Sequence, residues 1–253
     1  MTPEQIEARL LYRDGLMLVL DKPAGLSVHR GPKGGASVED YFDALRFGLP
    51  RPPALAHRLD RDTSGCLVLG RHRKALAQLG KLFKNGAVGK TYWAVVEGGP
   101  DADEGEIDLP LGRLDDTRGW WMKHDPDGKP SVSRWTVLGR SPTANLSWLA
   151  LEPLTGRTHQ LRVHCAEMGW PVLGDAIYGT APRNGGPGLH LHAREIVVPL
   201  YKNREPIRVT APIPAHLRAR LTDCGWRDQG EVVDPAKIQP REAEPDEINK
   251  SSL

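Results

Sequence analysis

A chain of 253 residues with 39% hydrophobic and 26% charged residues is long enough for one sizeable core, and its composition is that of a globular protein rather than a disordered or fibrous one. The formal net charge of +2 is by itself a weak sign of a nucleic-acid partner; the apolar run Leu16–Leu20 is far too short to span a bilayer, and Met1-Thr2-Pro3-Glu4-Gln5 lacks the basic and apolar regions of a secretory signal, so the expected setting is cytoplasmic, with no membrane partner. Three scattered cysteines, Cys66, Cys165 and Cys224, form no CxxC pair and fit reduced thiols rather than a disulfide framework.

In chain order, Glu4–Tyr12 predicts a short amphipathic helix with Ile6, Leu10 and Leu11 on its apolar side. Asp14-Gly15 turns the chain into Leu16–Leu20, a buried strand, and Asp21–His29 is a Pro/Gly turn by composition. Ser37 can cap a helix to Phe47, with Asp40 at the N3 position of a capping box; Gly48 and the prolines at 50, 52 and 53 end it. The polar stretch His57-Arg58-Leu59-Asp60-Arg61-Asp62-Thr63-Ser64-Gly65 then runs into Cys66–Leu69, a second buried strand, which anchors a charge-dense loop to the core. Arg71–Lys84 carries Leu76, Leu79, Leu82 and Phe83 at helical spacing and is stopped by Asn85-Gly86. On the strand predicted over Val88–Gly98, Lys90, Tyr92 and Ala94 share a face.

Residues 99–130, rich in Asp, Gly and Pro, read as loops or a hairpin arm; its Trp120 and Trp121 are able to stack on bases, although packing against the body is the commoner fate. Arg134–Leu138 and Leu146–Leu151 form a strand pair. Thr158 caps a helix to Met168 with Gly169 as its C′ residue, placing Leu161, Cys165 and Met168 on one face and His159 and Arg162 on another. Ile207–Val209 is a last short strand, a helix over Ala215–Leu221 closes a domain spanning 1–229, and the acidic segment 230–253 reads as a flexible tail.

From Arg51 to Lys90 nine Lys and Arg face two acids, Asp60 and Asp62, whereas beyond Arg227 seven acids outnumber three basic residues. Such polarity suits the steering of a phosphate backbone and equally the solvated face of a helix. Arg58 and Arg61 flank Asp60, a setting for a carboxylate that acts as nucleophile or base rather than for an acid that must hold its proton. The ordinary alternative is a solvated turn in which Asp62 or Ser64 bonds its own backbone.

His57-Arg58-Leu59-Asp60 followed by Thr63-Ser64-Gly65 resembles the signature loop of the RluA-type RNA pseudouridine synthases. Further stretches are similar to that family's motifs, in its order: Asp21-Lys22-Pro23-Ala24-Gly25 with Val28-His29, then Lys90-x-Tyr92-x-Ala94, then Thr155-Gly156-Arg157-Thr158-His159-Gln160-Leu161-Arg162-Val163-His164. Gly169-x-Pro171-x-x-Gly174-Asp175-x-x-Tyr178-Gly179 and Leu191-His192-Ala193 continue the match, so the resemblance covers Leu16 to Pro214. It implies an α+β fold with a mixed, mostly antiparallel central sheet flanked by helices, and a cleft in which the Asp loop, the Tyr strand and the Arg helix meet. The implied activity is isomerisation of a uridine in tRNA or rRNA to pseudouridine, by a monomer, with no cofactor and no metal. Asp60 would then be the catalytic carboxylate, Tyr92 the residue facing the base, and Arg162 the ion-pair partner of Asp60. The target uridine would be flipped out of the stack, with Arg58 filling its place and Lys90 and Leu161 lining the uracil pocket. Many relatives carry a small RNA-binding domain ahead of the catalytic one. Here Met1–Gly15 precedes the first strand, so recognition is expected from the catalytic domain itself.

Two other classes compete. A metal-dependent hydrolase would draw on His159, His164, His190, His192 and Asp175, with His190 and His192 alternating onto one strand face. A non-catalytic RNA-binding module would bind without changing a base. A kinase is excluded, because His57-Arg58-Leu59-Asp60 lacks the Asn and Asp-Phe-Gly elements that should follow it.

Overall fold

The computed structural model describes residues 1–31, 34–115 and 120–228; the acidic segment expected to form a tail lies outside them. Helix α1 (Pro3–Glu7) is closed by a capping box in which Thr2 and Gln5 exchange side-chain and backbone hydrogen bonds. It is shorter than the helix expected to Tyr12, because the chain extends at once into strand β1 (Leu10–Arg13). Leu10 and Leu11 pack into different apolar layers, one on each face of the sheet. That is the period of a strand, and it overrides the helical spacing.

Strand β2 (Met17–Lys22) is followed by a helix of the 3-10 type, Val38–Leu45, which starts after Ser37 as expected and stops short of Phe47; Asp40 Oδ2 accepts the Ser37 N–H there at 2.8 Å. Then come β3 (Ala54–Leu55), β4 (Ser64–Gly70), α2 (Arg73–Lys84) and β5 (Gly89–Glu97). The stretch expected to be loops or an arm contains β6 (Glu104–Asp108) and a separate hairpin of β7 (Leu111–Arg113) and β8 (Met122–His124). After β9 (Val132–Arg140), β10 (Leu146–Pro153), α3 (Gln160–Glu167), β11 (Leu191–Val198) and β12 (Ile207–Thr210), α4 (Ala215–Asp223) ends the described chain.

The ten-stranded main sheet has the order β1-β2-β4-β11-β5-β10-β9-β6, with β12 on β11 and β3 on β4. The β4–β11 pairing is parallel and the other ladders are antiparallel, so the fold is α+β with a mixed, mostly antiparallel sheet. Both faces are covered, which is why β2 and β4 read as continuous apolar runs instead of alternating ones. On one face Leu18, Leu20, Leu67 and Leu69 meet Val38, Phe42 and Leu45 of the 3-10 helix, while Ala94, Leu149 and Leu151 meet Leu161 and Cys165 of α3. Met168, expected on the same apolar side as Leu161, is exposed instead. On the other face α2 covers Met17, Cys66 and Val68 through Leu79, and α4 covers Val95 through Leu217 and Leu221. Tyr92 on β5 touches both groups of the first face, and so stands between the 3-10 helix and α3. Cys66, Cys165 and Cys224 are free and buried. Among the described residues no helix is long and apolar enough to cross a membrane.

Candidate active site

The loop ahead of β4 is tied down at several points. Gly65 has φ +103, and a Cβ there would overlap the backbone of Ala193, so only glycine lets β4 and β11 approach at this level. Ser64 Oγ and His192 Nδ1 are hydrogen-bonded at 2.8 Å across the same pair; burial lowers His192 to about 3, leaving a neutral structural imidazole. His57 Nε2 accepts the Val68 N–H at 3.0 Å, and its ring stacks on Phe83 with centroids 4.6 Å apart. Thr63 N–H donates to Asp60 O at 3.2 Å, closing a turn over residues 60–63.

The strongest anchor is Lys22, which is fully buried although lysine normally reaches water. Its Nζ donates to the carbonyls of Pro23, Leu26 and Arg61 at 2.8, 2.8 and 2.9 Å, and Gly25 N–H also donates to Arg61 O at 2.9 Å. The Asp-Lys-Pro turn is thereby clamped onto the loop that carries Asp60. Burial lowers the Lys22 ammonium to about 8, opposed by the charges of Asp62, Asp60 and Asp21.

Helix α3 brings two side chains to Asp60. The expected cap, Thr158, is not the cap residue; His159 is, in the left-handed region at φ +53, one of two non-glycine residues with positive φ among those described. Backbone strain of this kind concentrates at functional sites, and here it aims a buried imidazole at the loop. His159 Nε2 lies 3.8 Å and Arg162 Nη1 lies 3.6 Å from Asp60 Oδ2. Gln160 secures the turn: its Oε1 accepts from Thr155 Oγ1 and Arg157 N–H at 2.6 and 3.0 Å, and its Nε2 donates to Val132 O at 2.9 Å.

Arg162 was expected to pair with Asp60, yet its shorter, forked pair is with Asp175: Nε to Oδ2 at 2.7 Å and Nη2 to Oδ1 at 2.8 Å. Burial would raise the Asp175 carboxyl; the hydrogen bonds and charge of Arg162, with the N–H groups of Ile177 and Tyr178, bring it below the usual range. Burial would likewise lower Arg162, and Asp175 first, then Asp60, raise it instead. The guanidinium is thus held rigid by one carboxylate and presents its remaining edge to another.

His159 belongs to a second network. Tyr178 Oη accepts the Met122 N–H at 2.9 Å and stands 2.7 Å from His159 Nδ1. All groups are satisfied when the Tyr178 hydroxyl donates to Nδ1, which puts the imidazole proton on Nε2, toward Asp60. Burial lowers His159, against the pull of Asp60, so the ring is held neutral.

Tyr92 is half-buried; burial, and then the charge of Asp60, push its phenol up, so its hydroxyl keeps its proton. Leu161 is buried in the apolar group that Tyr92 packs against. Lys90 Nζ donates to Thr155 O at 3.4 Å, and burial lowers its ammonium. Arg58 is exposed at the start of the loop. Trp120 is exposed beside His159, and Trp121 is half-buried.

The histidines proposed for a metal are dispersed. His164 lies between Ser133 Oγ and Leu109 O, His190 donates to Gly188 O, and His192 holds Ser64. Among the described residues no three His, Cys, Asp or Glu side chains assemble as a ligand set. Lys22 and Tyr178 stand inside motifs to which the sequence assigned no task, and Asp175 was considered only as a metal ligand, not as the partner of Arg162; the motif spacing was the signal that marked them.

A family model described as RNA pseudouridylate synthase matches residues 16–167. An RNA pseudouridine synthase of Zymomonas mobilis is 42% identical over 220 residues, covering 86% of this chain and 97% of that protein. Ribosomal large subunit pseudouridine synthase C of Haemophilus ducreyi is 37% identical over 224 residues, covering 86% of this chain and 69% of that protein. The solved structure of human RNA pseudouridylate synthase domain containing 4 aligns with a TM-score of 0.72 at 27% identity, over 88% of this chain and 95% of that one.

Proposed function

The chain belongs to the RNA pseudouridylate synthase family, and from that premise we propose that Asp60, Tyr92 and Arg162 isomerise a uridine extruded from tRNA or ribosomal RNA. An RNA pseudouridine synthase is an isomerase. The bond from uracil N1 to ribose C1′ breaks, C5 bonds to C1′ in its place, the C5 proton leaves and N1 regains one. Atoms and electrons balance within the nucleotide, so the chemistry asks for a charge to meet the ribose, a group facing the base and a rigid frame. Asp60 supplies the charge, whether by attacking C1′ or by taking a ribose proton. Tyr92 presents a protonated hydroxyl to the uracil. Arg162, locked by Asp175, fixes the direction of the Asp60 carboxylate and is a positioning residue. Lys90 and Leu161 line the space for the base.

A uridine inside a stack hides C1′ and C5, so it must swing out, and exposed Arg58 fills the gap. The observation that carries the reading is the meeting of Arg162 Nη1 and His159 Nε2 on Asp60 Oδ2, at 3.6 and 3.8 Å, from a segment distant in the chain. Large-subunit ribosomal RNA is the first substrate to test, because relatives from Haemophilus ducreyi and Vibrio cholerae carry it in their names. Base-resolved mapping of pseudouridine in total RNA, with and without the protein, decides the matter. One or a few new sites in ribosomal RNA or tRNA are expected; an unchanged map in both RNAs contradicts the proposal.

A further inference from the structure

Of the seven tryptophans, six are buried or half-buried, whereas Trp120 is 58% exposed. A bare indole is a large apolar surface with a face free to stack, and this one stands beside the imidazole that reaches Asp60. Its neighbours do not cover it. The rings of Trp121 and His159 both lie 5.6 Å from it, at 82° and 84°, so neither stacks on the indole. One imidazole separates Trp120 from the Asp60 carboxylate, since His159 Nε2 is 3.8 Å from Asp60 Oδ2. The hairpin that carries it is docked at the same place, through Met122 N–H to Tyr178 Oη and on to His159 Nδ1. Two exposed cations of that hairpin, Arg113 and Lys123, have no carboxylate within ion-pair distance among the described residues. A hairpin that carries an exposed aromatic face and exposed positive charge offers what an unstacked nucleotide requires: a surface for the base and a charge for its phosphate.

We infer that Trp120 stacks on a nucleobase next to the target uridine in bound RNA, which makes it a substrate-contacting residue of the β7–β8 hairpin. The inference rests on Asp60 marking the reacting nucleotide. The test uses the full chain and a uridine-containing RNA stem-loop, reading tryptophan emission and affinity together. The RNA is expected to quench the parent's emission. Trp120→Phe should remove most of the quench while keeping Kd within about threefold, because a phenyl ring still stacks, and Trp120→Ala should raise Kd about tenfold. Since the side chain is exposed, both variants should keep the parent's melting temperature. A quench unchanged in Trp120→Phe, or parental Kd in Trp120→Ala, overturns the inference. Pseudouridine formation is scored separately. An RNA-binding, quenched parent that makes none counts against the Asp60 reading, whereas an active parent with an indifferent Trp120→Ala variant counts against the stacking alone.

Discussion

Asp175 reaches the candidate site through Arg162. It binds Arg162 through two short hydrogen bonds, and Arg162 in turn faces Asp60 at 3.6 Å. Asp175→Asn keeps the size but halves the acceptor capacity and removes the charge, so the guanidinium can turn toward Asp60 or away from it. Misplacement on this scale costs about 100-fold in rate. Single-turnover kinetics should show that loss with RNA affinity kept within about threefold; a parental rate would show that Asp175 only packs. Lys22 offers a second residue-level test. Below its value of about 8 the ammonium offers three N–H groups to three carbonyls, and above it the amine has two. Turnover should therefore decline as pH rises through about 8. The stability contribution runs the other way. A folded value below the unfolded 10.5 means that the native state holds fewer protons between about 8 and 10.5. This contribution is complete above 10.5 and is lost as pH falls through 8. A flat rate profile from pH 7 to about 9.5 would contradict the clamp.

At the scale of elements, the loop and the sheet constrain one another at Gly65. An alanine there must move the Ala193 backbone or leave the positive-φ region, and either change opens the parallel β4–β11 pair. Gly65→Ala should cost about 2–4 kcal/mol, read from denaturant unfolding, with activity lost in the fraction that still folds. A variant as stable as the parent would mean that the contact relaxes freely. Elements with two buried faces were the easiest to read in the sequence: Leu16–Leu20 and Cys66–Leu69 are apolar without interruption because both layers need them. Strand β6 escaped because Ile107 is its one buried side chain and the strand pairs only with β9, so no apolar run marks it. The first helix is shorter than its sequence suggests because Leu10 and Leu11 fit a helical stripe as well as a two-faced strand. The cap of α3 falls one residue after the threonine that the sequence favours, since no residue type announces a histidine at φ +53.

For the whole molecule, the candidate site lies on one face of the sheet, where Tyr92 packs against both the apolar group of the 3-10 helix and that of α3; α2 and α4 back the other face. Motif spacing indicated which segments meet there. It did not indicate that Arg162 would be tied first to Asp175, because a helix arginine has several carboxylates within reach and only the fold selects one. The same holds for Lys22, whose burial follows from how a turn folds back over a loop distant in sequence. Asp60 either acts on the nucleotide, as proposed, or merely supports the loop. Asp60→Asn preserves shape while removing the charge, and release of tritium from RNA labelled at uracil C5 reports the chemical step directly. The variant is expected to bind RNA like the parent and to release no tritium above background. Release at the parental rate would contradict the account.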